Sequence, residues 1–380
     1  MHCVFSLRIV LLLAASAWPA LASAAEFVIS GPRAMGMGGA GVAVTTNALA
    51  TYWNPAGLAM TQTVDIRVQG GGQATDRLGI GDALHDLENF DRGDLSPANQ
   101  AKAQSIADRI NRPGATVSVN GSAGLYFKGH LGEHAFGFNV SDVATGGGFI
   151  STPVTVTPPS GPSPITVTGQ MALRGLEARQ LAFSYAYAFA DKTFAIGITA
   201  KIIQGASYNG STELQGGSGV STTDHFGKPN ISTTYGIDIG AIYRPSSWIR
   251  VGVVAKDINT PTFDAAGGGT LKLEPQVRVG LAVNPYSTLT LTADVDATSN
   301  KTFVPGVKSQ LLSFGLEQTI LSEFLSFRVG TFKNMQDAST PFVPTAGLGI
   351  RWFNFRADAG GGYDFREKGA LVSASVSMTF

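Results

Sequence analysis

Apolar residues alternate with small or polar ones along most of this chain, and no apolar run reaches the length a membrane-spanning helix needs. In Leu181–Phe189, one face carries Leu181, Phe183, Tyr185, Tyr187 and Phe189. The other carries Ala182, Ser184, Ala186 and Ala188. The same period of two runs through Ile237, Ile239 and Ala241, through Val277–Val283 and through Leu289–Val295. Successive strand residues point to opposite faces, so this pattern predicts half-buried β-strands. It excludes a bundle of membrane-spanning helices. Composition narrows the choice further. Only 14% of the 380 residues are charged and 47 are Gly, against about 25% and about 7% in ordinary soluble domains. The 27 basic and 27 acidic residues cancel, which leaves no electrostatic footprint for nucleic acid.

Residues 1–24 read as a cleaved export signal. Arg8 supplies the positive start, Ile9–Ala17 the apolar stretch and Ala22-Ser23-Ala24 the small-residue cleavage site. The single cysteine, Cys3, leaves with that segment. The mature chain therefore has no disulfide, thiolate metal site or thiol nucleophile.

The spacing of the strands separates a barrel from a sandwich. Fourteen strands are expected, and the gaps after odd-numbered ones are long: 71–115, 143–180, 205–232, 258–276, 297–310, 332–345 and 365–369. The gaps after even-numbered ones are short: 128–133, 191–192, 244–247, 285–287, 320–324 and 354. Long loops on one side and tight turns on the other are the pattern of an all-β transmembrane antiparallel barrel in the outer membrane of a Gram-negative bacterium. A closed barrel satisfies every backbone polar group without long hydrophobic runs, which accounts for the composition. Arg278, Asp294, Asp296, Arg328, Arg356 and Asp358 fall on the inward face, while Tyr243, Trp248, Tyr286, Trp352 and Tyr363 fall near strand ends as interfacial aromatics. The last strand alternates Ala370, Val372, Ala374, Val376, Met378 and Phe380 with Ser373, Ser375, Ser377 and Thr379.

Residues 25–63 do not read as a spanning strand. Gly31, Gly36, Gly38, Gly39 and Gly41 precede Tyr52-Trp53-Asn54-Pro55-Ala56-Gly57-Leu58; Asn-Pro favours a turn and Gly57 a tight exit. This stretch resembles the N-terminal hatch of the FadL family of outer-membrane channels, and is similar to the related conjugal-transfer TraF-like proteins. The resemblance covers about 35 residues and the Phe-terminated last strand; the rest matches in architecture, since FadL-type barrels also have fourteen strands. It implies three parts: a signal peptide at 1–24, a hatch or plug at 25–63 and a barrel at 64–380. In the hatch, Gly36, Gly38, Gly39, Gly41, Asn54, Pro55, Ala56 and Gly57 would carry the packing: Asn54 bonding lumen polar groups, Pro55 fixing the turn and Ala56 allowing close approach. Phe380, Met378 and Val376 would form the signal read by the outer-membrane assembly machinery. Gly146-Gly147-Gly148 would break the third strand's ladder as a kink for lateral opening.

The activity implied is passive uptake of hydrophobic small molecules, with outer-membrane lipid as the surroundings and no cofactor. The alternative is a TraF-like barrel for conjugation or secretion that binds protein partners through extracellular loops and transports nothing. The polar loop 205–232 departs from a greasy capture site. So does the first loop, where residues 80–112 predict two short helices, the second starting at Ser96-Pro97. An enzyme is not expected. Gly36–Gly41 matches the dinucleotide fingerprint but lacks its strand–helix setting. His130, Glu133 and His134 match a zinc-peptidase string in what reads as a turn containing Gly132, so no metal site is assigned.

Overall fold

The computed structural model describes residues 27–158, 163–189, 191–217, 227–338 and 340–380, with the backbone of 22–23. The expected leader, residues 1–24, lies outside them but for Ala22 and Ser23.

Fourteen antiparallel strands close into one barrel in sequence order. They are β1 (Asp65–Arg77), β2 (Thr116–Leu131), β3 (His134–Thr157), β4 (Thr166–Phe189), β5 (Phe194–Gln215), β6 (Asn230–Ser246) and β7 (Ile249–Lys256). β8 (Gln276–Tyr286), β9 (Leu289–Asp296), β10 (Leu311–Ile320), β11 (Leu325–Asn334), β12 (Val343–Trp352), β13 (Phe355–Asp364) and β14 (Gly369–Thr379) complete it. The last strand seals against the first, with Val376 opposite Val68 and Met378 opposite Ile66. Phe380 extends that ladder by exchanging both backbone hydrogen bonds with Val64, at 2.9 and 3.0 Å. No described helix is long and apolar enough to cross a membrane.

The outer surface is an apolar belt. Val68, Phe127, Phe183, Ile198, Phe327, Val372 and Val376 are exposed on it, and Tyr243, Trp248, Tyr286, Trp352 and Tyr363 are exposed at strand ends as expected. The inner surface holds the charges. Arg278, Arg328, Asp294, Asp296 and Asp358 are all buried, and Arg356 is half-buried.

Two expected loops are strands. Residues 143–157 and 166–180, expected in a long connection, continue β3 and β4 to 24 residues each. Such strands reach more than twice the height of an apolar band about 25 Å tall. Two irregularities, between Ile150 and Thr152 and between Thr152 and Thr155, shift the phase of β3 around Pro153 and hide its alternation. Likewise 205–215 and 230–232 belong to β5 and β6, while 218–226 lie outside the described residues.

The ladder break expected at Gly146–Gly148 is absent. Gly146 pairs with Val119 and Gly175, and Gly148 with Val117 and Leu173. Backbone pairing needs no side chain, so glycines can continue a ladder whose neighbours supply the packing.

Above the barrel, helices α1 and α2 of the first loop span Ile80–Glu88 and Pro97–Ile110. Ser96 caps the second, its Oγ accepting from the Asn99 amide at 3.3 Å. They bury Leu87, Phe90, Ile106 and Ile110 against Val154, Val167, Met171 and Leu214 of the tall strands. Two hairpins fold inward from the mouth. Thr262–Asp264 pairs with Thr270–Lys272, and Asn300–Lys301 with Lys308–Ser309. Their Phe263, Leu271 and Phe303 pack on Leu176, Ala178 and Ile203 of the wall.

Candidate functional site

The lumen is occupied by the chain's own N-terminal segment. Residues 27–60 contain a short helix at Pro32–Gly36, a second at Ala50–Trp53 and a 3-10 turn at Pro55–Met60, and nearly all are buried. Pro32 and Pro55 start helical turns where their missing N–H is not needed.

Close approach is possible because both surfaces are glycine. A Cβ on Gly38 would stand 2.3 Å from the Thr331 carbonyl oxygen, on Gly36 2.9 Å from Gly347 Cα, and on Gly57 2.2 Å from the Thr45 carbonyl oxygen. One on Gly41 would meet the Trp53 ring at 2.4 Å, and one on Gly39 the Ile29 side chain at 2.8 Å. Gly38 and Gly39 also have φ of 68° and 84°, in the region that favours glycine. The wall reciprocates with inward glycines on β5, β6, β10 and β13. A Cβ on Gly197 would lie 2.4 Å from Pro55, on Gly240 2.0 Å from Asn54 Oδ1, on Gly315 2.4 Å from Met37 and on Gly360 2.4 Å from the Pro32 carbonyl oxygen.

Asn54 is buried and spends its amide on several groups. Its Nδ2 donates to the carbonyls of Val42 at 3.3 Å, Ala241 at 3.2 Å and Val253 at 3.3 Å, while its Oδ1 accepts from the Ala56 amide at 3.2 Å. It therefore ties the 3-10 turn to β6 and β7 and caps that turn at once. Ala56 is buried at that contact.

Charged wall residues hold the segment. Asp294 accepts from the amides of Gly41 at 2.7 Å and Val42 at 2.9 Å. Lys128 donates to the carbonyls of Thr46 at 2.7 Å and Thr61 at 2.9 Å, and so grips the segment at two places. Arg33 pairs with Glu317, its Nε at 2.9 Å. Burial works against the Arg33 charge, but Glu317 outweighs it and keeps its pKa above the ordinary value. Glu317 also accepts from Arg328 at 2.9 Å, and Arg328 reaches Asp358 at 2.8 Å. The aromatic trio Phe27, Tyr52 and Trp53 meets two more cations. Lys256 Nζ lies 3.4 Å from the Tyr52 ring centre, and the Arg278 guanidinium 3.9 Å from that of Phe27. Arg278 is itself paired with Asp296 at 2.5 Å.

Above the segment lies a cavity of about 150 Å³. Phe27 and Ile29 form its floor, the hairpin residues Phe303, Val304 and Val307 its roof. Its sides are β14, β1, β2 and β3 on one hand and β10, β11 and β12 on the other. Val304 seats on the glycine run of β3, at 2.7 Å from a Cβ position on Gly147.

The inward charges Arg278, Asp294, Asp296, Arg328 and Asp358 were legible from alternation. Lys128, Lys201, Lys256 and Glu317 were not singled out, although each occupies an inward register position of its strand. Lys201 bridges Asp238 at 2.7 Å and Asp257 at 2.6 Å. His130 and His134 stand on the two sides of the turn at Gly132-Glu133, with His134 Nδ1 2.8 Å from the Tyr185 hydroxyl. No helix presents them together.

A closed barrel with an apolar outer belt and a filled, polar-walled lumen defines an outer-membrane barrel of Gram-negative bacteria. Its fold is that of the FadL-type hydrocarbon channels. The toluene transporter TbuX of Ralstonia pickettii superposes with TM-score 0.54 at 15% identity, over 92% of this chain and 97% of that one. The P. putida toluene transporter TodX gives 0.51 at 13%, over 92% and 97%. A Pseudomonas aeruginosa FadL homologue gives 0.51 at 12%, over 93% and 98%. The sequence profile described as "F plasmid transfer operon, TraF, protein" matches residues 51–296, and the chain belongs to that family. A comparison with curated protein sequences returns no match.

Proposed function

We propose that this chain is an outer-membrane channel for passive entry of small hydrophobic molecules, with residues 25–63 as the hatch that closes the barrel 64–380. The observation that carries this reading is the cavity between Phe27 and Ile29 below and Phe303 and Val304 above. A barrel serving only as an anchor has no need of a chamber between two closures. Gly36 and Gly38 let the hatch lie backbone-to-wall, Gly39, Gly41 and Gly57 let it pack on itself, and Asn54, Pro55 and Ala56 seat its turn against the wall. Gly146 borders both the chamber and an apolar groove on the outer face. A local parting of β3 from β4 there is the shortest way from chamber to lipid. Residues 1–24 direct export, and Phe380, Met378 and Val376 present the terminal strand to the assembly machinery.

A second reading keeps the barrel sealed and assigns binding of protein partners to the loops. The unbroken wall at Gly146–Gly148 and the tight hatch packing favour it. A tether decides between the two. A Cβ on Gly137 would stand 2.3 Å from Thr51 Cγ2, so cysteines at 51 and 137 lie within disulfide reach. Gram-negative cells carrying the Thr51→Cys, Gly137→Cys protein should take up toluene or p-cresol faster than empty-vector cells when the pair is reduced, and not when it is oxidised. No uptake above empty-vector cells in either state would leave the sealed reading.

A further inference from the structure

The chamber has two unlike walls, and this points to a narrower ligand class than hydrocarbons. On β1, β2 and β3 the inward residues are Gln73 and Thr75, Ser118, and Thr145. They form a register patch: Thr75 is opposite Ser118, Gln73 is opposite Asn120, and Asn120 is opposite Thr145. Among the described residues, the side chains of Gln73, Thr75, Ser118 and Thr145 are not engaged by other protein groups, so their donors and acceptors face the chamber. Across from them, Leu311, Phe332 and Val343 of β10, β11 and β12 form an apolar wall, while Leu371 of β14 stands beside Gln73 and the lining also carries Arg77, Lys308, Asp337, Asp364 and Glu367.

Size and chemistry together set the occupant. A cavity of about 150 Å³ has room for a single benzene ring, and the space here, lined by both apolar and polar groups, is about 150 Å³. A plain hydrocarbon ring would cover Leu311, Phe332 and Val343 but also strip water from Gln73, Ser118 and Thr145 without replacing it. Buried polar groups left unpaired disfavour that outcome. A ring with a hydroxyl or amide on one edge satisfies both walls.

Resting on the channel reading above, we infer that the chamber is a binding site for one-ring aromatic molecules carrying a hydrogen-bonding substituent, with Gln73 and Thr145 as specificity-determining residues. These side chains meet the substituent, while Phe27 and Phe332 meet the ring.

Uptake of p-cresol and of toluene by Gram-negative cells carrying the full chain, each corrected for empty-vector cells, tests this. One net hydrogen bond corresponds to roughly a fivefold preference. The ratio should favour p-cresol by about that factor in the wild-type protein. It should fall toward one in Gln73→Leu, Thr145→Val, with toluene uptake retained. Equal or greater uptake of toluene by the wild-type protein, or a ratio unmoved by the double variant, would overturn the inference and leave the channel standing. Uptake of neither probe would overturn the channel reading and this inference with it. Should the double variant fail to assemble, the wild-type ratio alone decides.

Discussion

The side-chain oxygen of Asn54 lies 2.0 Å from where a Cβ on Gly240 would stand. The wall has given up a side chain so that the buried amide can reach three carbonyls on two of its own strands and the hatch. Gly240→Val forces Asn54 out of this position. Overpacking of this kind costs about 1–3 kcal/mol, and the displaced amide adds the cost of unpaired buried carbonyls. The heat-modified band of the purified barrel should unfold at a clearly lower temperature. Gly236→Val, on the same strand but away from Asn54, should not open the hatch. Equal leakage of ions through both variants would break the link to Asn54.

Glu317 is shared by Arg33 of the hatch and Arg328 of the wall. Its neutralisation therefore strands buried cations, whereas loss of Arg33 removes one partner and leaves Arg328 in place. Removing one member of a buried pair costs about 3–5 kcal/mol. Glu317→Gln should approach that figure, and Arg33→Ala, which is partly exposed, should fall well below it. Denaturant unfolding in detergent checks the order; an equal or reversed order contradicts the network.

Lys128 holds the carbonyls of Thr46 and Thr61 at once. Lys128→Met keeps the stem and removes the ammonium, so both points of the hatch come free together. Limited proteolysis from the periplasmic side should then cut between residues 46 and 63. The barrel itself should stay resistant. An unchanged cleavage pattern would mean that the glycine contacts alone retain the segment.

Much of this architecture is written in the sequence. Alternation located every barrel strand because one face meets lipid and the other the lumen, so each strand carries its own two-sided record. The inward charges Arg278, Asp294 and Arg328 followed from the same rule. Residues 143–180 were misread because bulges near Ile150 and Thr155 change the phase of β3, and a glycine run carries no hydropathy at all. The chamber was not legible. It depends on the hairpin from 297–310 turning inward over Phe27 and Ile29, and on Gln73 of β1 and Leu311 of β10 lining one space. Those are relations between distant segments that period alone does not encode. The ring contacts of Lys256 and Arg278 belong to the same class.

Asp294 binds two hatch amides, Gly41 and Val42. Both donate to the same oxygen, Oδ2, so Asp294→Ala removes the acceptor of both amides at once. Loss of a hydrogen bond to a charged group costs about 1.5–3 kcal/mol. Amide exchange at Gly41 and Val42 should accelerate in the variant, while exchange at Ala56, held by Asn54, should not. Equal acceleration at both sites would mean that the hatch loosens as one unit.

The central claim is that residues 25–63 close the barrel. Single-channel recording in planar bilayers tests it directly, comparing the full mature chain with a deletion of 25–60. The full chain should show no steady ion conductance, and the deletion should show a stable open level. A full chain that conducts as the deletion does, or a deletion that stays closed, would contradict the account.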